Sequence, residues 1–291
     1  MKQFPYISGQ LFAERLPAYD FDAKMLRILI DCANFNWNSI SPEIFGAMLQ
    51  GVMDKSLRRR MGAHYTSEEN ILKLIKPLFL DELWQEFELV KTDPQKLAAF
   101  HNKLARLKFL DPACGCGNFI IAAYRELRRL ELEVLKFQRR SGQREYLVET
   151  LLKISVSQFY GFEYEEFPCQ IAQVGLWLVA HQMNLQVSDE FGAYFCRLPL
   201  TESASILNIN SLRHSWEDIV PKEELNYIMG NPPFNGARMM TKDQKSDMGA
   251  VFGDLKGLGN LDYVTAWYKK AADYISGTGI KCAFVSTDSI T

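Results

Sequence analysis

The sequence predicts an open α/β fold, a sheet of parallel strands covered by helices, with a helical arm ahead of it. Three observations carry this. Short apolar runs of strand length alternate with longer segments of helical periodicity from residue 107 to residue 285, the pattern of strand–helix–strand units. The first run, Leu107 to Leu110, passes into a glycine turn and then a helix, an order that sets a helix N-terminus against a ligand. A later run, Leu225 to Met229, delivers the stiff turn Asn231-Pro232-Pro233-Phe234 to a sheet edge, where α/β folds bind their ligands.

A length of 291 residues suggests about two domains; we divide the chain into an arm, 1–60, and a catalytic-type domain, 61–291. An apolar fraction of 47% and a charged fraction of 23% are those of a globular chain. Without an apolar run of bilayer length, or an apolar core in Met1 to Gln10, no membrane partner and no export signal is expected, which points to the cytoplasm. The cysteines (Cys32, Cys114, Cys116, Cys169, Cys196, Cys282) have no zinc or redox spacing and read as reduced thiols, with no metal expected. A net charge of −2 lacks the basic footprint of a stand-alone nucleic-acid binder. The local clusters Lys55, Arg58, Arg59, Arg60 and Arg125, Arg128, Arg129 read as helix-surface charge, a phosphate contact being the alternative.

Taken in order, residues 1–60 are helical, clearest at Phe21 to Asn34 and Pro42 to Lys55, with Ser41 and Pro42 as a start signal. Gly62 to Asn70 precedes an apolar helix through Ile71, Leu74, Ile75, Leu78, Phe79 and Leu83. Thr66 and Glu69 have capping-box spacing there, which leaves other first-turn amides to hold a carboxylate. Lys91 to Asn102 connects to a further helix. After the strand 107–110, Asp111-Pro112-Ala113-Cys114-Gly115-Cys116-Gly117-Asn118-Phe119 lets a ligand lie against the backbone, because glycine tolerates positive φ and close approach; a helix follows from Ile120 to about Arg140.

A second strand, Phe159 to Phe162, ends at Glu163, where an α/β fold places an acid on ribose hydroxyls, although the gap from Asp111 exceeds the usual 20 or so residues. A helix rich in Ile, Val and Leu spans Pro168 to Asn184. Ser205 to Ile209 forms a third strand with Asn210 at its end. In the proline turn, Asn231 offers an acceptor and a donor and Phe234 a flat apolar face, a pair that suits a nucleobase amine; an ordinary loop is the alternative. Asn235 to Asn260, with five glycines, reads as a long loop, either a mobile cover for substrate or disordered. A helix over Leu261 to Tyr274 and a strand over Ile280 to Val285 follow. The chain stops directly after that strand, where a sheet of this kind is expected to continue, so it reads as a piece of a longer protein.

In this order the motifs resemble the S-adenosylmethionine-dependent amino-methyltransferases of DNA, gamma class. The phrases FPYISGQLFAE, SPEIFGAMLQGVMD, RRRMGAHYTSEENILKLIKPLFLDEL and VGLWLVAHQMN resemble, more narrowly, the MmeI-like restriction–modification enzymes, over roughly residues 4–291. The resemblance implies a Rossmann-like methyltransferase sheet and S-adenosylmethionine as cofactor. It implies His64, Tyr65 and Thr66 on the methionine end, and Asp111, Ala113, Gly115, Gly117, Asn118 and Phe119 as the cofactor loop. Glu163 then holds ribose, Asn210 meets the adenine of the cofactor, and Asn231, Pro232, Pro233 and Phe234 form the catalytic turn.

The implied reaction is methyl transfer to the N6 amine of an adenine flipped out of double-stranded DNA, because a paired base cannot present its amine in line. Neither a nuclease pattern nor a target-recognition domain is visible, so DNA binding by this chain alone is expected to be weak. N4-cytosine or protein-glutamine transfer is the alternative within the same chemistry, and a cofactor-binding or DNA-scaffold module without catalysis is the alternative outside it. Oligomeric state is left open.

Overall fold

The computed structural model describes residues 20–35, 44, 66–140, 152–192, 205–287 and 290. Five strands form one parallel sheet: β1 (Phe109–Asp111), β2 (Phe159–Glu163), β3 (Ser205–Asn208), β4 (Tyr227–Gly230) and β5 (Lys281–Phe284), in the order β3-β2-β1-β4-β5. The chain works outward from β1 to β3, then returns to the other side of β1 to lay down β4 and β5. That reversal opens a crevice at the carboxyl ends of β1 and β4, the general ligand position of open α/β sheets.

The described helices are α1 (Ala23–Asn34), α2 (Glu68–Ile75), α3 (Asp81–Val90), α4 (Pro94–Leu104), α5 (Asn118–Arg140), α6 (Glu166–Phe191), α7 (Lys242–Phe252) and α8 (Thr265–Ile275). A wide π turn, Lys76–Leu80, joins α2 to α3 around Pro77, whose missing N–H could not have continued the normal ladder.

Side chains alternate along the strands, and the alternation builds two cores. Phe109, Phe159, Tyr227 and Met229 point to one face and pack with residues of α2 to α6. Leu110, Phe162 and Ile228 point to the other and meet Trp216, Val220 and residues of α7 and α8. On the first face Phe109 stacks on Phe159 with centroids 4.9 Å apart and on Tyr227 at 5.3 Å, and Phe79 adds an edge contact at 5.1 Å. Stacking across three adjacent strands fixes their register through side chains as well as hydrogen bonds.

A buried polar network ties the helical layer together. Glu131, fully buried on α5, faces Arg128 Nε at 3.0 Å and His101 Nε2 at 3.0 Å, and accepts the backbone N–H groups of Lys153 at 2.6 Å and Ile154 at 3.0 Å. Arg128 also donates to Tyr124 and to Asn184 of α6. Arg125 pairs with Glu68 of α2 at 2.5 Å. This corrects the expectation for the second basic cluster. Arg125 and Arg128 are 8% and 3% exposed, and only Arg129 keeps a solvated position. A spacing of three residues returns two of these arginines to the packed side of a helix that is covered nearly all round.

The arm is described only in part. Helix α1 matches the segment expected at Phe21 to Asn34 and is capped by Asp22, whose carboxylate accepts from Lys24 N and Met25 N. The helix expected at Pro42 to Lys55, and the cluster Lys55 to Arg60, lie outside the described residues. Among the described residues, no helix is long and apolar enough to cross a membrane.

One expectation for the C-terminal half is overturned. Asn235 to Asn260 is not a loop throughout, because α7 occupies its middle. Thr241 accepts from Gln244 N while the Gln244 side chain accepts from Thr241 N, a full capping box, and Gly253 at φ +60 ends the helix. The Thr-x-x-Gln signal was present in the sequence, and the five glycines around it obscured it.

Candidate active site

The crevice is built from the ends of three adjacent strands. β1 ends in Asp111, which is 1% exposed. Its Oδ1 accepts from Ala113 N at 3.1 Å, which draws the chain into a tight turn. Pro112 follows, and its carbonyl is held by Trp267 Nε1 at 3.2 Å. Cys114 N then donates to Phe162 O at 2.9 Å, lashing the turn to β2. Gly115 and Gly117 both take positive φ, +54° and +83°. A side chain on Gly115 would meet nothing within 4 Å, so the turn faces open space there. Gly117 is different. A Cβ at this position would lie 2.9 Å from Ala172 Cβ and 3.2 Å from Ala172 Cα, so the first turn of α5 packs directly on α6.

Gly117→Ala therefore combines left-handed strain with a backbone clash, and should cost about 2–4 kcal/mol. A shift of the urea midpoint at unchanged slope is the expected reading. An unchanged midpoint would mean that α5 and α6 separate easily.

Glu163 ends β2 and closes over the glycine turn. Its Oε2 accepts from Gly115 N at 2.8 Å and its Oε1 from Glu165 N at 2.9 Å. Desolvation pushes its pKa up, against the pull of the backbone donors. Asp111 shows the same effect more strongly. Burial and, secondarily, the nearby charge of Glu163 raise its pKa to about 8. Two acids pressed together in a low-dielectric crevice favour a ligand that brings positive charge or hydroxyl donors. Cys114 and Cys116 are not thiolates in this setting. Burial raises both, Cys116 to about 12.

β4 ends in Gly230, and the reason for glycine is steric. A Cβ there would sit 2.5 Å from Asp111 Oδ1. The acid of β1 and the backbone that enters the proline turn thus touch across the switch point. Beyond Gly230, Asn231 is partly buried and its Nδ2 donates to Thr66 Oγ1 at 2.9 Å. Its Oδ1 is buried and has no hydrogen-bond partner. A buried acceptor left open in this way is uncommon in native proteins and marks a place where a donor is expected. Asn118 Oδ1, at the start of α5, is a second such acceptor.

The turn is braced from behind. Asn235 N donates to Asp262 Oδ1 at 3.0 Å, Tyr263 N donates to Asn235 O at 3.0 Å, and Asn235 Nδ2 donates to Gln244 Oε1 at 3.0 Å. Pro232 is buried, while Pro233 and Phe234 are partly buried. Further out, the buried Asp247 of α7 accepts from Tyr263 OH at 2.8 Å, Arg213 Nε at 2.5 Å and Asn210 Nδ2 at 3.2 Å.

Several sequence-based expectations change here. Thr66 does not cap α2. Ser67 occupies the N-cap position without a side-chain bond, and the Thr66 hydroxyl goes to Asn231 instead. Capping-box spacing is satisfied in sequence, but the long-range partner wins the hydroxyl. Asn210 lies beyond β3 as expected, with its amide engaged by Asp247 and by Leu212 N. Phe119 is 3% exposed and packs into the first core cluster. His64 and Tyr65 lie outside the described residues. Asp111, Ala113, Gly115, Gly117, Asn118, Glu163 and Asn231 are brought to the crevice. The bracing residues Gln244, Asp247, Asp262 and Tyr263 were not anticipated, and only the Thr241–Gln244 pair carried a readable signal.

A family model described as MmeI, DNA-methyltransferase domain, matches residues 87–291. The chain belongs to the MmeI DNA-methyltransferase domain family. Over its whole length it is 42% identical to "DNA methyltransferase A" of Bacillus subtilis (strain 168), and covers 33% of that protein. It is 24% identical over 64% of its length to a putative type II restriction enzyme and methyltransferase of Methanocaldococcus jannaschii, covering 19% of it. Among solved structures, the type IIL restriction–modification enzyme MmeI in complex with DNA superposes with a TM-score of 0.91 at 56% identity, over 98% of this chain and 38% of that one. The chain thus spans 33% of the length of the Bacillus subtilis relative and 38% of the MmeI chain. The expected Rossmann-like methyltransferase fold agrees with the observed sheet and with the MmeI structure.

Proposed function

We propose that this member of the MmeI DNA-methyltransferase family transfers a methyl group from S-adenosylmethionine to the N6 amine of adenine in DNA. The observation that carries the reading is Asn231 Oδ1, a buried acceptor without a partner at the end of a strand in the ligand crevice.

The crevice suits the cofactor by its own chemistry. Asp111 and Glu163 are acids raised by burial, Asn118 Oδ1 is an open acceptor, and the space in front of Gly115 admits a ligand to the backbone. Together with Ala113, Gly117 and Asn210, and with His64 and Tyr65 from the preceding segment, these residues would hold it, while the Thr66 hydroxyl goes to Asn231 instead. When bound, S-adenosylmethionine supplies an electrophilic methyl group on a sulfonium.

The residues of the chain do the rest. Asn231 Oδ1 and the Pro232 carbonyl accept the two amine hydrogens of the base and favour the tetrahedral nitrogen as its lone pair turns to attack. Pro232 and Pro233 keep those acceptors rigid, and Phe234 stacks on the base taken from the duplex. No strong base is required, because the amine becomes acidic once alkylated. The proposed organisation is an arm at 1–60 and a catalytic domain at 61–291, acting on double-stranded DNA in the cytoplasm.

Mass analysis of nucleosides from DNA of cells expressing the complete gene product tests the reading. N6-methyladenine is expected. N4-methylcytosine would move the substrate to another amine, and neither product would favour a cofactor-binding module without catalysis. A gel shift with the 291-residue chain at low salt should show only weak, salt-sensitive binding.

A further inference from the structure

We infer that Thr66 is a positioning residue for methyl transfer, holding one end of the Asn231 amide so that the other end faces the substrate. The inference rests on the proposed function for its catalytic consequence, but not for its geometry.

An asparagine amide presents a donor on one side and an acceptor on the other, and rotation by half a turn exchanges them. At the end of β4 this choice decides the chemistry. With the oxygen toward the base, the amide accepts an amine hydrogen. With the nitrogen toward it, two donors face each other and the site repels its substrate. Nothing in the turn itself makes the choice, since neighbouring prolines carry no N–H to hold the oxygen away.

The described structure shows a contact that holds one end of the amide, the hydrogen bond from Asn231 Nδ2 to Thr66 Oγ1 at 2.9 Å; a hydroxyl can pair with either end, and the incoming amine, a donor, favours the arrangement with the nitrogen on Thr66. Thr66 is itself buried, at 9% exposure. It directly precedes Ser67, which holds the N-cap position of α2, and α2 is anchored by Ile71 and Ile75, both fully buried, and by the Arg125–Glu68 pair. The hydroxyl therefore sits on a rigid mount. With the nitrogen occupied, the oxygen is left buried and without a partner, which is its observed state. A β-branched residue holds its hydroxyl in few rotamers, which keeps that anchor in place.

The test compares Thr66→Val, which keeps shape and loses the hydroxyl, with Thr66→Ser, which keeps the hydroxyl. In the complete gene product, Thr66→Val should lower kcat by about tenfold to a hundredfold, as expected for a misplaced catalytic contact. The KM for DNA and the calorimetric Kd for S-adenosylmethionine should stay within about twofold, and Thr66→Ser should recover most of the rate. The side-chain amide resonance of Asn231, assigned by its loss in Asn231→Ala, should move in Thr66→Val and not in Thr66→Ser.

An unchanged kcat in Thr66→Val would overturn the inference. So would a loss confined to cofactor affinity, which would make Thr66 a cofactor contact, and so would failure of serine to rescue. The resonance arm needs no turnover, so it separates an error about Thr66 from an error about the reaction. If the wild type transfers nothing while the resonance still responds to the hydroxyl, the geometry stands and the proposed function falls.

Discussion

Asn231→Ala is expected to lower kcat by about 10²–10³ while leaving the affinity for S-adenosylmethionine within a few-fold of wild type. The asymmetry follows from position. The acids of the crevice and the glycines of its turn lie on β1, β2 and the turn after β1, and none of them uses the Asn231 side chain as a hydrogen-bond partner. What the substitution removes is an acceptor whose donor arrives with the substrate, so the loss falls on the step in which the amine changes shape. Calorimetry with the cofactor, beside single-turnover transfer to DNA, reads the two quantities separately. Loss of cofactor binding in step with the rate would show Asn231 to be a structural support for the crevice.

The second large effect concerns pH. The carboxyl group of an unfolded aspartate titrates near 3.9, whereas that of Asp111 in the fold is raised to about 8 by burial first and by Glu163 second. Between those values the native state holds a proton that the unfolded state has lost, so stability falls as pH rises. The contribution of Asp111 is fully present below pH 4 or so and is gone above its folded pKa. Asp111→Asn keeps an oxygen for Ala113 N and cannot ionise. The difference in unfolding free energy between wild type and variant should therefore change by up to about 1.4 kcal/mol per pH unit across pH 5–7. Urea denaturation at several pH values checks this, and parallel profiles would mean that Asp111 is ionised throughout.

The sheet was legible because its strands carry their signals locally. Apolar runs bounded by glycine, proline or an acid put β1, β2 and β4 within two residues of their observed positions, and Asp111, Glu163 and Asn231 follow as strand ends. Residues whose partners are remote in sequence were not legible. Thr66 spaced like a cap is drawn to Asn231, and Arg125 and Arg128 spaced like surface charge are buried by α2 and α6. Helix α7 was hidden by glycines on both sides of it and by Gly249 within it. In each case local pattern gave way to a tertiary contact that no short window contains.

The Glu131 carboxylate also governs where the sheet resumes after α5. By accepting the N–H groups of Lys153 and Ile154 from within the helical layer, it pins the chain where it returns to the sheet, just ahead of β2. The start of β2, and with it the height at which Glu163 closes over Gly115, is held by that clamp from within the helical layer. The unusually wide separation of Asp111 from Glu163, which departs from the roughly 20-residue norm, is one outcome such a clamp permits.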